Sequence, residues 1–285
     1  MSAFSTVQLS AADGTPVTAC YFPPRGEPRG AVLIVPAMGC PQAFYAPLAA
    51  WLAAQAFLVA TFDYRGIGLS RPAAGLRGFQ ADILDWARLD CGALVEDIRR
   101  RAPALPLYWI GHSLGGQILP FVPGREHVRK MVTVTAGSGY WLDNASALRW
   151  RVWFLWYCVV PVALPFCGYF PGRRLRMVGD LPRAAMAQWR RWCLHPDYAA
   201  GAEGEAARGL YAAVRTPITA LSFTDDEMMS ARNIERLHAT YANAPRRMVR
   251  LAPAEVGAKR IGHFGFFRRE FQETLWRRHL LSELA

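Results

Sequence analysis

Ser113 stands in the run Gly111-His112-Ser113-Leu114-Gly115-Gly116, a Gly-x-Ser-x-Gly pattern. A serine hydroxyl is a poor nucleophile at neutral pH. It becomes a useful one when a base lies within hydrogen-bond reach and a third group orients that base. The chain must therefore supply a histidine and a carboxylate. Of its six histidines, His263 has the most suggestive setting. It lies in Arg260-Ile261-Gly262-His263-Phe264-Gly265-Phe266-Phe267, a loop with nearby glycines and with aromatics to exclude water. His112 adjoins the serine, but a sharp turn there would point its ring away. His127, His195, His238 and His279 lie in polar or helical contexts without such flanks. Asp225 and Asp226 follow an apolar run directly and are the candidate acids. Adjacent residues point different ways, so only one of them can face the base, and Asp226 is favoured.

The elements needed to hold these groups are legible around them. Residues 105–110 read as a buried strand that stops at Gly111, and Gln117-Ile118-Leu119 is compatible with a helix. Ser113 would then occupy a strained strand-to-helix turn, with its hydroxyl above the sheet. The two glycines are required because a Cβ beside so tight a turn would meet neighbouring backbone. The Leu114 N–H, at a helix N-terminus, would aim at a developing oxyanion. A second donor must come from the loop after the strand at 31–35, and the Met38 N–H is the candidate, with Gly39 allowing close approach.

Further strands are expected at 6–10, 17–22, 58–62, 128–135, 217–223 and 248–251, the first two joined by an Asp13-Gly14 hairpin turn. Helices are expected at 45–57, 80–101, 230–241 and from about 268. Asp90 and Trp86, on the long helix at 80–101, read as structural. This alternation predicts an α/β fold: a parallel sheet with helices on both faces.

The alternation breaks between residues 139 and 214. Residues 152–172 contain 21 positions without a charge, the length of a membrane span. Pro161 and Pro165 interrupt that stretch, and arginines flank it at both ends (Arg149, Arg151; Arg173, Arg174, Arg176). A single crossing would also part Ser113 from Asp226 and His263. The expectation is a helical cap over residues 139–214, inserted into a core formed by 1–138 and 215–285. Trp150, Trp153, Phe154, Trp156, Tyr157, Leu164 and Phe166 would face inward, either roofing a hydrophobic pocket or packing the cap onto the core. Contact of the cap with a membrane surface remains open beside these.

Length and an apolar fraction of 52% fit one large domain with an insertion. The net charge of +11 comes almost wholly from arginine, since lysine occurs only at 130 and 259. Such charge suits phosphates or an anionic surface. No basic run, zinc finger or RNA-binding motif accompanies it, so no nucleic-acid partner is expected. Six scattered cysteines without a C-x-x-C, and an N-terminus unlike a signal peptide, lead to the expectation of a cytoplasmic protein with free thiols.

At these residues the chain resembles the α/β-hydrolase superfamily, and within it the serine-aminopeptidase-like (S33) or hydrolase 4 group. The resemblance rests on Gly111 to Gly116, on Asp63-x-Arg65-Gly66-x-Gly68-x-Ser70, on the aspartate loop and on Gly262-His263, in that chain order. It implies an eight-stranded, mostly parallel sheet and no metal or organic cofactor. It also implies Ser113 as nucleophile, Asp226 as acid and His263 as base. Pro36-Ala37-Met38-Gly39 departs from the His-Gly with which many members open the oxyanion loop. The reaction expected is hydrolysis of a carboxylic ester or thioester carrying a hydrophobic acyl group, a small-molecule substrate. Acyl transfer by the same triad, or ligand binding without catalysis, are the alternatives.

Overall fold

The run Gly30–Val35 forms strand β3, and its alternation feeds two cores. Ala31, Leu33 and Val35 pack on one face of the sheet, Val32 and Ile34 on the other, and all five are buried. A strand covered on both faces leaves no side for polar residues, which is why its sequence is unbroken apolar. The computed structural model describes residues 4–284 and sets β3 within an eight-stranded sheet.

The other strands are β1 (Ser5–Ser10), β2 (Pro16–Phe22), β4 (Phe57–Phe62), β5 (Leu107–His112), β6 (Val128–Val134), β7 (Ile218–Phe223) and β8 (Arg246–Leu251). Their order across the sheet is β1-β2-β4-β3-β5-β6-β7-β8. Only β2 runs antiparallel to its neighbours, β1 and β4; every other pair is parallel. The eight-stranded, mostly parallel sheet implied by the resemblance is therefore the sheet observed.

Helices cover both faces. Helix α1 (Ala46–Ala54) and the C-terminal turns Gln272–Leu280 share one core, where Trp51 packs on Trp276 with ring centroids 5.6 Å apart. Helix α2, residues 83–101, packs Trp86, Leu94 and Ile98 into the other. It starts at Ile83 rather than at 80 because Asp82 caps it, accepting from the Asp85 N–H while the Asp85 carboxylate accepts from the Asp82 N–H. Asp90, fully buried on α2, accepts from the Arg65 N–H and Nε, and Arg65 also pairs with Asp13. Both groups thus hold loops together, the structural role expected for Asp90.

Between β6 and β7 the chain leaves the sheet as helices: α3 (residues 146–167), α4 (Arg183–Leu194), α5 (Tyr198–Ala202) and α6 (Glu205–Ala213). Helix α7 (Ala231–Thr240) follows β7. Strands β6 and β7 are themselves paired, Val132 against Thr219, so the helical segment returns to the place it left.

Two local expectations fail. No α-helix follows Ser113; instead there are two short 3₁₀ turns, Ser113–Gly116 and Leu119–Phe121. Pro120 and Pro123 lie just where a helix would propagate, and each removes a donor. The inward orientation expected for seven residues of the insertion also holds only for Trp156 and Leu164. Trp150, Trp153, Phe154, Tyr157 and Phe166 are exposed. The reason is geometric. Val152, Trp156, Val160 and Leu164, four residues apart, form the one stripe that α3 buries, and a helix lying on a core can bury only one stripe.

Candidate active site

Every candidate residue follows the carboxyl end of a strand, the edge where open parallel sheets gather their ligands. Ser113 follows β5, and the Met38 loop follows its neighbour β3, with Val35 paired to Gly111. Asp226 follows β7, and His263 lies on the loop after β8.

Ser113 has φ +50°, a strained conformation for a residue with a Cβ. Neighbouring glycines permit it. A Cβ on Gly111 would lie 2.4 Å from the Gly115 carbonyl oxygen, and one on Gly115 would lie 2.2 Å from the Val35 carbonyl oxygen. With no helix behind the turn, side chains satisfy its carbonyls instead. Trp109 Nε1 donates to Gly115 O (2.8 Å), Tyr241 Oη to Gly116 O (3.1 Å) and Tyr211 Oη to Gln117 O (2.8 Å). Buried carbonyls need such partners, and aromatics from β5, from α6 and from the residue that ends α7 supply them.

The acidic run after β7 divides its work by residue. Asp226 faces the imidazole: its two oxygens lie 3.1 and 3.0 Å from His263 Nδ1, and both residues are buried. Asp226 Oδ1 also accepts from the Met228 and Met229 N–H groups at 2.8 and 2.9 Å. Asp225 turns the other way, and its Oδ2 accepts from the Ile261 and Gly262 N–H groups. Glu227 Oε2 accepts from the His263 N–H. Consecutive carboxylates thus hold the histidine loop by its backbone and its ring.

His112 does point away from the serine side, yet it is not idle. Its ring is fully buried behind the site, between Tyr45 Oη (2.8 Å from Nδ1) and the His263 carbonyl (3.1 Å from Nε2). Burial, and secondarily the nearby His263, push its pKa well below 6.5, so it is neutral. One tautomer satisfies every atom. The Ala37 N–H donates to Tyr45 Oη, the Tyr45 hydroxyl donates to Nδ1, and Nε2–H donates to His263 O. This chain ties the loop bearing Met38 to the loop bearing His263. Thr135 Oγ1 donates to the same His263 carbonyl. Nothing in the spacing of His112 or Tyr45 announces this coupling.

The Asp63–Ser70 turn is also structural. Asp63 accepts from the Gln42 backbone, the Gln42 amide and the Leu69 N–H, which pins the end of the Met38 loop.

Ser113, Met38, Leu114 and His263 line one cavity of about 380 Å³. Asp226 stands behind His263, outside the lining. The remaining wall comes mainly from the helical segment between β6 and β7: Leu148, Val152, Leu155 and Trp156 from α3, and Trp189 and Cys193 from α4. Burial pushes the Cys193 thiol well above its usual 9, so it stays protonated. Among the described residues, no three of His, Cys, Asp or Glu gather as metal ligands.

Comparisons with known proteins bear on the fold. Residues 26–160 match the Hydrolase_4 family model, described as serine aminopeptidase, S33. No curated protein matches the sequence. Among solved structures, DcsB in complex with its substrate analogue superposes with a TM-score of 0.61 at 16% identity, covering 99% of this chain and 100% of that one. A highly thermostable carboxyl esterase from Bacillus coagulans, bound to glycerol, gives a TM-score of 0.60 at 15% identity, covering all of both chains (100% and 100%). A soluble variant of the monoglyceride lipase from Saccharomyces cerevisiae, bound to a substrate analogue, gives 0.59 at 16% identity over 86% of each chain.

Proposed function

We propose that this α/β hydrolase is a serine hydrolase that cleaves a carboxylic ester or thioester with a hydrophobic acyl group. Asp226 accepts a hydrogen bond from His263 Nδ1–H and so fixes the tautomer in which Nε2 is basic. His263 Nε2 takes the Ser113 hydroxyl proton as Oγ attacks the acyl carbon. The N–H groups of Met38 and Leu114 hold the oxyanion. His263 then protonates the leaving oxygen or sulfur, and a water activated by His263 releases the acid from Ser113.

The observation that carries this reading is the buried Asp226–His263 pair behind a cavity that Ser113, His263, Met38 and Leu114 share. Support for an apolar acyl group comes from the wall of Leu148, Val152, Leu155, Trp156 and Trp189. The helical segment over residues 139–214 then acts as the cap that roofs the acyl chain. Acting without a helix dipole, the Leu114 amide stabilises the oxyanion by its single hydrogen bond alone.

The test is hydrolysis of p-nitrophenyl esters of graded chain length by wild type and Ser113→Ala. The expected loss in kcat is about 10³-fold or more. Equal rates for the two proteins would refute the assignment.

A further inference from the structure

Helix α3 carries apolar side chains on two sides, and the fold uses one. Val152, Trp156, Val160 and Leu164 lie on the core, while Trp150 is 67% exposed and Phe166 78% exposed. Trp153, Phe154, Tyr157 and Val162 share that outer face. The outer rings pack on each other, Trp150 on Trp153 at 5.8 Å, Trp150 on Phe154 at 6.2 Å and Trp153 on Tyr157 at 5.9 Å, and Tyr157 also meets Trp141 at 6.0 Å and the Arg190 guanidinium at 6.0 Å. A contiguous aromatic surface of this kind marks a contact site.

The charge around it is one-signed. Residues 144–179 hold five arginines (149, 151, 173, 174 and 176) and no aspartate or glutamate. The carboxylates that border the stretch are already engaged, Asp143 with Arg232 and Arg236, and Asp180 with Arg71. The face is also continuous with the site, since Arg151, Leu175, Arg176 and Met177 line the Ser113 cavity and are themselves exposed.

We propose that the outer face of α3, with its arginines, docks on the surface of an anionic lipid bilayer and turns the mouth of the Ser113 cavity toward it. Tryptophan, tyrosine and arginine are the side chains that settle at the headgroup level, where a ring enters the acyl boundary and a guanidinium meets phosphate. The helix lies along the surface rather than through it. The stretch Leu148–Cys167 is long and apolar enough to cross, but its inner stripe is bound to the core and its flanking strands β6 and β7 are hydrogen-bonded neighbours. A second copy of the chain is a poorer occupant, because it would set five arginines against five. Docking rests on this surface and not on the chemistry assigned to Ser113.

The test is co-sedimentation of the full chain with vesicles of phosphatidylcholine alone or with phosphatidylglycerol added. Wild type and Ser113→Ala should bind the anionic vesicles alike, and at least tenfold more tightly than the neutral ones. The variant Trp150→Ser/Phe154→Ser/Phe166→Ser changes exposed residues outside the cavity. It should keep the wild-type melting temperature and soluble-ester activity, yet lose at least 20-fold in vesicle affinity. Arg173→Gln/Arg174→Gln, a charge-only variant, should lose about 20-fold, near fivefold per arginine. Four results would overturn the proposal: no vesicle binding by wild type, retention of binding by both variants, protein that resists alkaline extraction as a spanning helix would, or a dimer broken by the triple variant without vesicle binding.

Discussion

Asp226→Asn and Asp225→Asn separate two carboxylates that adjoin in sequence and differ in duty. At position 226 the hydrogen bonds dictate how an asparagine would sit. Oδ1 of Asp226 accepts from the Met228 and Met229 N–H groups at 2.8 and 2.9 Å, whereas Oδ2 touches only His263 Nδ1, at 3.0 Å. An asparagine oxygen would keep the two backbone donors, and its NH₂ would then donate to Nδ1. That forces the imidazole proton onto Nε2, the nitrogen that in the proposed mechanism accepts from Ser113. The wrong tautomer in serine-protease triads costs about 10⁴ in kcat, or roughly 5.5 kcal/mol of barrier. At position 225 an asparagine oxygen can still accept from Ile261 and Gly262 N–H, losing the charge and setting its NH₂ where Oδ1 is buried without a partner. The expected cost is about 1–2 kcal/mol of stability and less than tenfold in kcat. Steady-state hydrolysis of p-nitrophenyl butyrate, paired with thermal melts, reads both effects. If Asp225→Asn falls as far in kcat as Asp226→Asn, or Asp226→Asn keeps more than about a tenth of wild-type kcat, the division of roles is wrong.

Other perturbations follow from the same contacts. Gly115→Ala sets a Cβ 2.2 Å from the Val35 carbonyl oxygen, which is backbone and cannot turn aside. A loss of about 3 kcal/mol is expected in urea unfolding. Tyr45→Phe leaves the Ala37 N–H and His112 Nδ1 without their shared partner, and should cost about 2–4 kcal/mol together with a measurable fall in kcat, since both loops shift. His238 is buried neutral between Thr133 Oγ1 and the Ile234 carbonyl, and burial lowers its pKa from 6.5 to about 4. The unfolded chain therefore takes the proton first as pH falls, so the contribution is complete above pH 6.5 and drains away toward pH 4, about 2 kcal/mol being gone at pH 5. Urea titrations at pH 7 and pH 5 should show wild type losing about 2 kcal/mol more than His238→Gln.

Much of the site could be read in the chain because short-range chemistry wrote it. Gly111, Ser113 and Gly115 encode a turn whose sterics demand just those glycines, and the apolar runs before Ser113, Asp225 and the His263 loop encode buried strands that must end at one edge. The doublet Asp225-Asp226 was readable as a candidate pair, while the division of their hydrogen bonds was not, since it depends on where loop 260–263 arrives. His112 and Tyr45 were opaque for the same reason: their partners lie on loops brought together only by sheet order. The expected helix after Ser113 fails because Pro120 and Pro123 outweigh the apolar period around them. The outward aromatics of α3 were misread because composition cannot say which stripe of a helix apolar on several sides the core claims. In that helix apolar residues occur on several sides, and Val152, Trp156, Val160 and Leu164 are the ones that face the core.

The central claim is that Ser113 is a nucleophile activated by His263. A fluorophosphonate probe, followed by peptide mass mapping, tests it without knowledge of the substrate. The account predicts a single stoichiometric adduct on Ser113 in wild type, and none on a folded His263→Ala protein over the same interval. Wild-type protein that stays unlabelled, or labelling of Ser113 that proceeds equally fast without His263, would contradict it.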